Sequence, residues 1–345
     1  MNNWMTTYES DNYGLVISSR IRLARNLAKI PFSHKLNIEE SKKIIKDVEN
    51  AFYTSSNTKE KFRSNYLWDR NDNDKNIYLE KHLISKALID NSSKAAFILD
   101  DKETISIMIN EEDHVRIQCI TGGLNLEELY DVSEKIDDLL EENLEYAFDE
   151  KLGYLTACPT NVGTGLRASV MLHLPSLSLN NQINGLLNAL AQVGMTIRGL
   201  YGEGSKAIGN IYQISNQVTL GRSEEEILSN LKALVLQIIN QEIISRENLM
   251  KKYKYELEDK IYRAFGILKS AVLLNSSECL KLLSDVRLGV EMGIIKDVNG
   301  MTLNKLLVET QPATIQKIYG ESLSNKDRDF NRAKFVREKL AVNTA

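Results

Sequence analysis

The sequence predicts an α+β protein, an antiparallel sheet flanked by helices and followed by an all-helical C-terminal region, on three observations. Through the first two thirds, short runs alternate with the period of a strand, as Ile105, Ile107 and Ile109 do with Thr104, Ser106 and Met108. Helical stretches interrupt these runs, each opened by a capping residue. From about Ile227 the strand signal fades and helical patterns run to the C-terminus. At 345 residues and 43% hydrophobic content the chain can bury a substantial core.

The opening residues, "MNNWMTTYESDNYG", are polar, and no later run is apolar for long enough to span a bilayer, so a cytoplasmic protein is expected. In "VISSRIRLAR" an extended chain puts Ser18, Arg20 and Arg22 on one face and Ile17, Ile21 and Leu23 on the other. Alternate strand positions lie roughly 6.6 Å apart, a spacing that suits two guanidiniums to successive phosphates. The same pattern also describes an exposed face carrying arginines for solubility. Asn37 with Glu40 opens the first helix. His82, in "EKHLIS", is a lone histidine open to a structural or a ligand-contacting role, and Trp68 reads as packing.

Val115, Ile117 and Cys119 alternate with Arg116 and Gln118, making residues 115–119 a strand antiparallel to 104–109. "NEEDH" is then a tight connection at a sheet end. Its Glu111, Glu112 and Asp113 repel one another, so the turn calls for a positive partner. Asn125 with Glu128 opens a helix whose Leu126, Leu129, Ile136, Leu139, Leu140 and Leu144 share one side.

"CPTNVGTGLRASVMLHLP" is a glycine-containing turn that delivers Arg167 onto an apolar run. It is no Walker A loop, "RGLYGEG" has the wrong glycine spacing for a dinucleotide fingerprint, and the protein-kinase signatures are absent from the sequence. A bound nucleotide would therefore be held by arginines. "TIRGLYGEGSKAIGNIYQISNQ" places Arg198 and Glu203 on a glycine-rich bend, which by itself also reads as a plain turn. Ser223 with Glu226 forms a capping box. The charged "RENLMKKYKYELEDK" then suggests a domain boundary near residue 250, dividing 1–250 from 251–345.

In "RDFNRA", Arg328 and Arg332 lie one turn apart, Asp329 can orient one of them, and Phe330, Ala333 and Leu340 form an apolar side. A solvated amphipathic helix fits that composition as well. Cys119, Cys158 and Cys279 are far apart with no C-x-x-C partner, which argues against a zinc site or disulfide framework. A net charge of −4 with interspersed signs argues against direct nucleic-acid binding over the whole surface.

"SSRIR", "NEEDHVR", "CPTNVGT" followed by "LRASV", and "RGLYGEG" with "YQISN" resemble, in order and spacing, the catalytic domain of the ATP:guanidino phosphotransferases, the phosphagen-kinase family of arginine and creatine kinases. The resemblance implies a phosphagen-kinase-like catalytic domain, with ATP and Mg²⁺ as cofactors. It maps nucleotide clamping onto Arg20, Arg22, Arg116, Arg167 and Arg198, with Ser18, Ser19, Ile21, His82, Ala168, Ser169, Val170, Met171, Gly199, Leu200, Tyr201, Gly202 and Glu203 beside them. It maps guanidino-binding, catalytic carboxylates onto Glu112 and Glu203, and a thiol by the guanidino group onto Cys158, where nearby positive charge would favour the thiolate; a buried, inert cysteine is the alternative. A guanidinium offers paired N–H donors to a carboxylate, so the acidic turn across from a phosphate clamp is where a substrate arginine would lie.

Metabolic members of that family carry a helical domain ahead of the S-S-R-I-R strand, whose absence here leads us to expect an acceptor site open to an arginine on a polypeptide. Arg328, Asp329, Phe330, Asn331, Arg332 and Ala333 resemble the R-D-x-x-R-A motif of bacterial protein-arginine kinases (McsB type), in which it binds phosphoarginine and regulates activity. That resemblance implies a stress-gene repressor as substrate, an activator protein and a Clp unfoldase as partners, and a homodimer formed through the C-terminal helices. A kinase for a small guanidino compound and a catalytically silent phosphoarginine-binding adaptor are the competing readings.

Overall fold

The structure, a computed structural model, describes residues 1–8, 14–54, 56–199, 207–320 and 322–341. The alternation in "VISSRIRLAR" becomes β1 (Val16–Arg25), and the other runs become β2 (Phe62–Tyr66), β3 (Ala96–Asp100), β4 (Ile105–Ile109), β5 (Val115–Gly122), β6 (Phe148–Asp149), β7 (Gly153–Tyr154), β8 (Leu166–His173), β9 (Met195–Arg198) and β10 (Ile211–Asn216). Among the described residues, eight of these form one sheet in the order β2-β3-β4-β5-β1-β8-β10-β9, while β6 and β7 pair separately. Every neighbouring pair in the large sheet is antiparallel.

The helices are α1 (Ile38–Phe52), α2 (Ser56–Lys61), α3 (Asp72–Glu80), α4 (Lys86–Asp90), α5 (Leu126–Glu141), α6 (Pro175–Leu179), α7 (Ile183–Gln192), α8 (Glu224–Lys252), α9 (Lys254–Ser270), α10 (Ser276–Glu291), α11 (Gly300–Glu309), α12 (Pro312–Tyr319) and α13 (Asn325–Ala341). Among the described residues no helix is long and apolar enough to cross a membrane. Asn37 and Ser223 each close a capping box with Glu40 and Glu226. Asn125 departs from expectation: its side-chain amide donates to the Gly122 carbonyl, and it makes no side-chain cap on α5.

One face of the sheet carries Ile21 and Leu23 of β1, Ile117 and Cys119 of β5, and Ala168 and Val170 of β8, all buried in a single apolar cluster with α1, α5 and α8. The opposite face is also covered, so its polar residues are buried too; Ser106 and Gln118 are 1% and 2% exposed. Over β3 and β4 the cover is residues 67–88, through Leu67, Leu83, Ile84 and Leu88. Over the far end it is Trp4 together with Leu280 of α10 and Leu307 and Val308 of α11, packed on Ile17, Ile120, Met171 and Ile211. Between these two covers a polar strip of sheet remains open.

The helices after α8 have their own apolar cluster, including Ile261, Leu283, Leu306, Ile315 and Val336. A buried charged network ties them to the sheet. The Glu291 carboxylate of α10 meets Arg246 of α8 at 2.7 Å, Arg287 at 2.7 Å and His173 of β8 at 3.2 Å. Burial by itself would raise Glu291, but Arg246, His173 and Arg287 hold it down at about 2.

Candidate active site

Antiparallel partners directly opposite each other share a sheet face, and the register gathers the sequence-selected arginines on one. Arg22 stands opposite Gln118 on β5 and Arg167 on β8; Met108 stands opposite Arg116; Gln213 stands opposite Arg198. Arg20, opposite Ser169, donates to Gln213 Oε1 at 2.6 Å. These guanidiniums crowd one another. Burial first, then Arg167 and Arg116, pull Arg20 down to about 10. Arg22 is pushed well below its ordinary value by burial and then by Arg20, Arg116 and Arg167, with only Glu111 opposing. The Arg22 Nε is buried with no hydrogen-bond partner among the described residues. Such a strip is built for a polyanion, which would relieve both the repulsion and the unmet donor.

The acidic turn divides its labour. Glu111 is 1% exposed; it accepts from Ser85 Oγ and meets Arg116 Nη1 at 2.5 Å. Asp113 is buried and accepts from Asn26 Nδ2 and the Ala157 amide, both at 2.7 Å. Glu112 alone keeps an open side chain, 43% exposed, with its Oε2 3.3 Å from Arg116 Nη2. The positive partner foreseen for this turn is therefore in part Arg116 itself. Burial would lower Arg116, yet Glu111, Asp113 and Glu112 together lift it above its ordinary value. His114 locks the turn from beneath: its Nδ1 accepts from the Leu27 amide at 3.0 Å and its Nε2 donates to the Pro31 carbonyl at 2.8 Å.

The "CPTNVGTG" turn reaches the strip because two glycines let it fold tightly. Gly163 has φ +114° and Gly165 φ +67°; a Cβ on Gly165 would lie 2.6 Å from the Ala24 carbonyl oxygen, and one on Gly163 would lie 2.7 Å from the Thr219 carbonyl oxygen. Cys158 is half-buried on this turn, its Sγ 3.0 Å from Thr160 Oγ1. Cys119 and Cys279 are buried in the cores, where desolvation pushes both thiols up, Cys279 to about 12.

Together these elements enclose a cleft of about 450 Å³ lined by Arg20, Arg22, Arg116, Arg167 and Arg198, by Glu111 and Glu112, and by Cys158. His82, at φ +61°, ends the α3 turn above the strip; burial and then Arg20 drive its imidazole down to about 3, so it is neutral. Side chains of Ile21, Ala168 and Val170 point to the opposite face, into the core, and Met171 is buried under the C-terminal helices. Of the nominated strand residues, Arg20, Arg22, Arg116, Arg167 and Arg198 line the cleft, and Ser169, opposite Arg20, lies on the same face. Ser18 is buried, and Ser19 donates to the Gly123 carbonyl at 2.7 Å. Gly199 follows β9, whereas Leu200, Tyr201, Gly202 and Glu203 lie outside the described residues. Sequence reading passed over Gln118, Gln213 and Ser85, which line the cleft. Gln118 and Gln213 occupy the same alternate positions as the arginines, the one signal that could have found them.

Residues 43–245 match the family profile of the ATP:guanido phosphotransferase C-terminal catalytic domain, and residues 254–345 match that of the protein-arginine kinase McsB C-terminal domain. A protein-arginine kinase of Clostridium kluyveri is 95% identical over the full length of both chains. The chain belongs to the protein-arginine kinase family. Another protein-arginine kinase, of Clostridium acetobutylicum, is 60% identical over 99% of this chain and 100% of its own. Among solved structures, lombricine kinase aligns with a TM-score of 0.58 at 26% identity, over 69% of this chain and 68% of its own. The duplicated taurocyamine kinase of Schistosoma mansoni, with bound transition-state-analogue components, aligns at 0.62 and 22% identity over 76% of this chain and 39% of its own. This protein-arginine kinase thus has the phosphagen-kinase fold.

Proposed function

We propose that the cleft transfers the γ-phosphoryl group of ATP to the guanidino group of an arginine in a polypeptide. The observation that carries this reading is the meeting, in one cleft, of five guanidiniums with the one open carboxylate of the acidic turn. Arg20, Arg22, Arg116, Arg167 and Arg198 bind and orient the triphosphate, and the corner formed by Leu79, His82 and Ile84 takes the base. Mg²⁺, which the family resemblance implies, would supply charge neutralisation at the phosphates.

The acceptor arginine poses a proton problem. Its pKa lies above 12, and prior deprotonation at neutral pH would cost on the order of 7 kcal/mol. Glu112, and Glu203 beside it in the family pattern, would orient the guanidinium and take the proton as the N–P bond forms. Cys158, on the neighbouring rim, would contact the guanidino group.

The R-D-x-x-R-A resemblance supports phosphoarginine recognition and allosteric control by the C-terminal region, set off as a domain near residue 250. We place the protein in the cytoplasm, as a homodimer in a stress response, with a stress-gene repressor as substrate and an activator protein and Clp unfoldase as partners.

The test is transfer from γ-labelled ATP to casein and, separately, to free arginine, with products analysed under conditions that preserve acid-labile N–P bonds. Label on arginine side chains of casein is expected. Label on free arginine with casein left unmodified would assign the protein to the small-molecule kinases, and nucleotide binding without transfer to either would make it an adaptor.

A further inference from the structure

The turn that lines the nucleotide corner, Leu79 to His82, is held in place by the C-terminal helices. Glu80, the last residue of α3, is 9% exposed and points away from the cleft. Its carboxylate accepts the Ala313 amide at 2.8 Å, the Thr314 amide at 2.8 Å and the Thr314 hydroxyl at 2.7 Å. It thereby supplies the N-terminal cap that α12, which begins with a proline, does not make from its own side chains.

Further hydrogen bonds and an ion pair cross from α3 to α12. Gln316 Nε2 donates to Asn73 Oδ1 at 2.6 Å, Asn73 Nδ2 to the Ala313 carbonyl at 3.2 Å, and Lys317 pairs with Asp74 at 3.2 Å. Two residues before α12, the Thr310 carbonyl accepts from Arg332 Nε of α13 at 2.6 Å. An independent grip comes from the other side. The Trp4 ring sits 5.6 Å from the His82 ring and its Nε1 donates to the Lys81 carbonyl at 3.4 Å, while Trp4 itself is packed with Leu280, Leu307 and Val308 of α10 and α11. The His82 carbonyl in turn accepts from Gln118 of β5, in the floor of the cleft, at 2.8 Å.

We propose that Glu80 is a positioning residue for the nucleotide: by capping α12 it fixes the Leu79–His82 turn over the arginine strip, making the docked state of the C-terminal helices a determinant of ATP affinity. The inference rests on the assignment of this cleft to ATP. A hydrogen-bonded seam suits such a role, because in water its broken state loses less than a broken apolar seam would.

The experiment measures the ATP dissociation constant, kcat, and KM for casein in Glu80→Ala, Thr314→Val, Gln316→Leu and the Glu80→Ala/Thr314→Val double variant. Glu80→Ala is expected to weaken ATP about tenfold, Thr314→Val and Gln316→Leu about threefold each, with kcat at saturating ATP and KM for casein within about twofold of the parent. The double variant should be no weaker than Glu80→Ala alone, since the hydroxyl has then lost its partner. A lowered melting temperature with ATP affinity unchanged, at a temperature where the variants are folded, overturns the proposal and leaves Glu80 a purely structural cap. If Glu80→Ala does not fold, Thr314→Val and Gln316→Leu decide, since both lie on α12 beyond reach of the nucleotide. An Arg22→Ala control separates the two readings: if it too binds ATP like the parent, the assignment of the cleft is what has failed.

Discussion

Glu111 and Glu112 are adjacent and chemically identical, yet the fold gives them different work. Glu111 is sealed against Arg116 and Ser85, whereas Glu112 keeps a side chain open to the cleft. Glu112→Gln should therefore leave ATP binding and stability close to the parent and cut turnover by at least about 10²-fold, the scale of a lost general base. Glu111→Gln should do the reverse at first order: it breaks one side of a buried pair, a loss of roughly 3–5 kcal/mol in comparable cases, and frees Arg116 to shift. Urea unfolding of both variants, beside steady-state transfer to casein, separates the two. Equal turnover losses with equal destabilisation would deny Glu112 its distinct role. That the turn needed a positive partner was legible from three consecutive carboxylates. That Arg116, four residues after Glu112, would meet much of that need was not, because it depends on the hairpin register that puts Met108 opposite Arg116.

At the scale of elements, local signals carried furthest. The capping boxes at Asn37 and Ser223 depend only on residues three apart and formed as read; Asn125 has the same spacing but found the Gly122 carbonyl, a competitor that exists only once β5 ends there. In α13 the turn-spaced arginines have separate environments. Arg332 is 2% exposed and bonds Asp329 at 2.6 Å, the Leu274 carbonyl at 2.8 Å and the Thr310 carbonyl. Arg328 is half-exposed beside Asn325, and Phe330, expected on the apolar side with Ala333 and Leu340, is 45% exposed. Phe330 falls off that side because α13 turns Ala333, Val336 and Leu340 inward, and a residue three before Ala333 is already at the helix rim. Arg332→Ala should then cost several kcal/mol by leaving two carbonyls and a carboxylate unmet, while Arg328→Ala stays within about 0.5 kcal/mol. A phosphoarginine response is best tested in Arg328→Ala, whose loss of response could not be blamed on unfolding. Denaturant midpoints of the two variants check the contrast; equal midpoints would refute the buried role of Arg332.

For the molecule as a whole, alternation in the sequence announced strands and hairpins but not which strand lies at the centre. β1 sits between β5 and β8, pairings that span most of the catalytic region and leave no local trace. The same long-range assembly buries His82, His114 and His173, and desolvation lowers all three imidazoles. The sign follows from linkage. A histidine held neutral in the fold but ordinary in the unfolded chain takes up its proton mainly on unfolding once pH drops below about 6.5, so stability is full above that value and is lost as pH falls. For His82, whose folded value is about 3, the loss between about pH 7 and about pH 5.5 is roughly 1.3 kcal/mol. Glu291, held at about 2, adds a loss of the same sign only below the ordinary carboxylate range, and burial of Glu80 and Asp137, which raises both, works against it there. The histidine window is thus separable from the carboxylate one. Urea-unfolding free energies at the two pH values should fall for the parent, and fall by about 1.3 kcal/mol less in His82→Gln; an identical pH dependence in parent and variant would mean that His82 titrates normally and that the roof over the arginine strip is not closed.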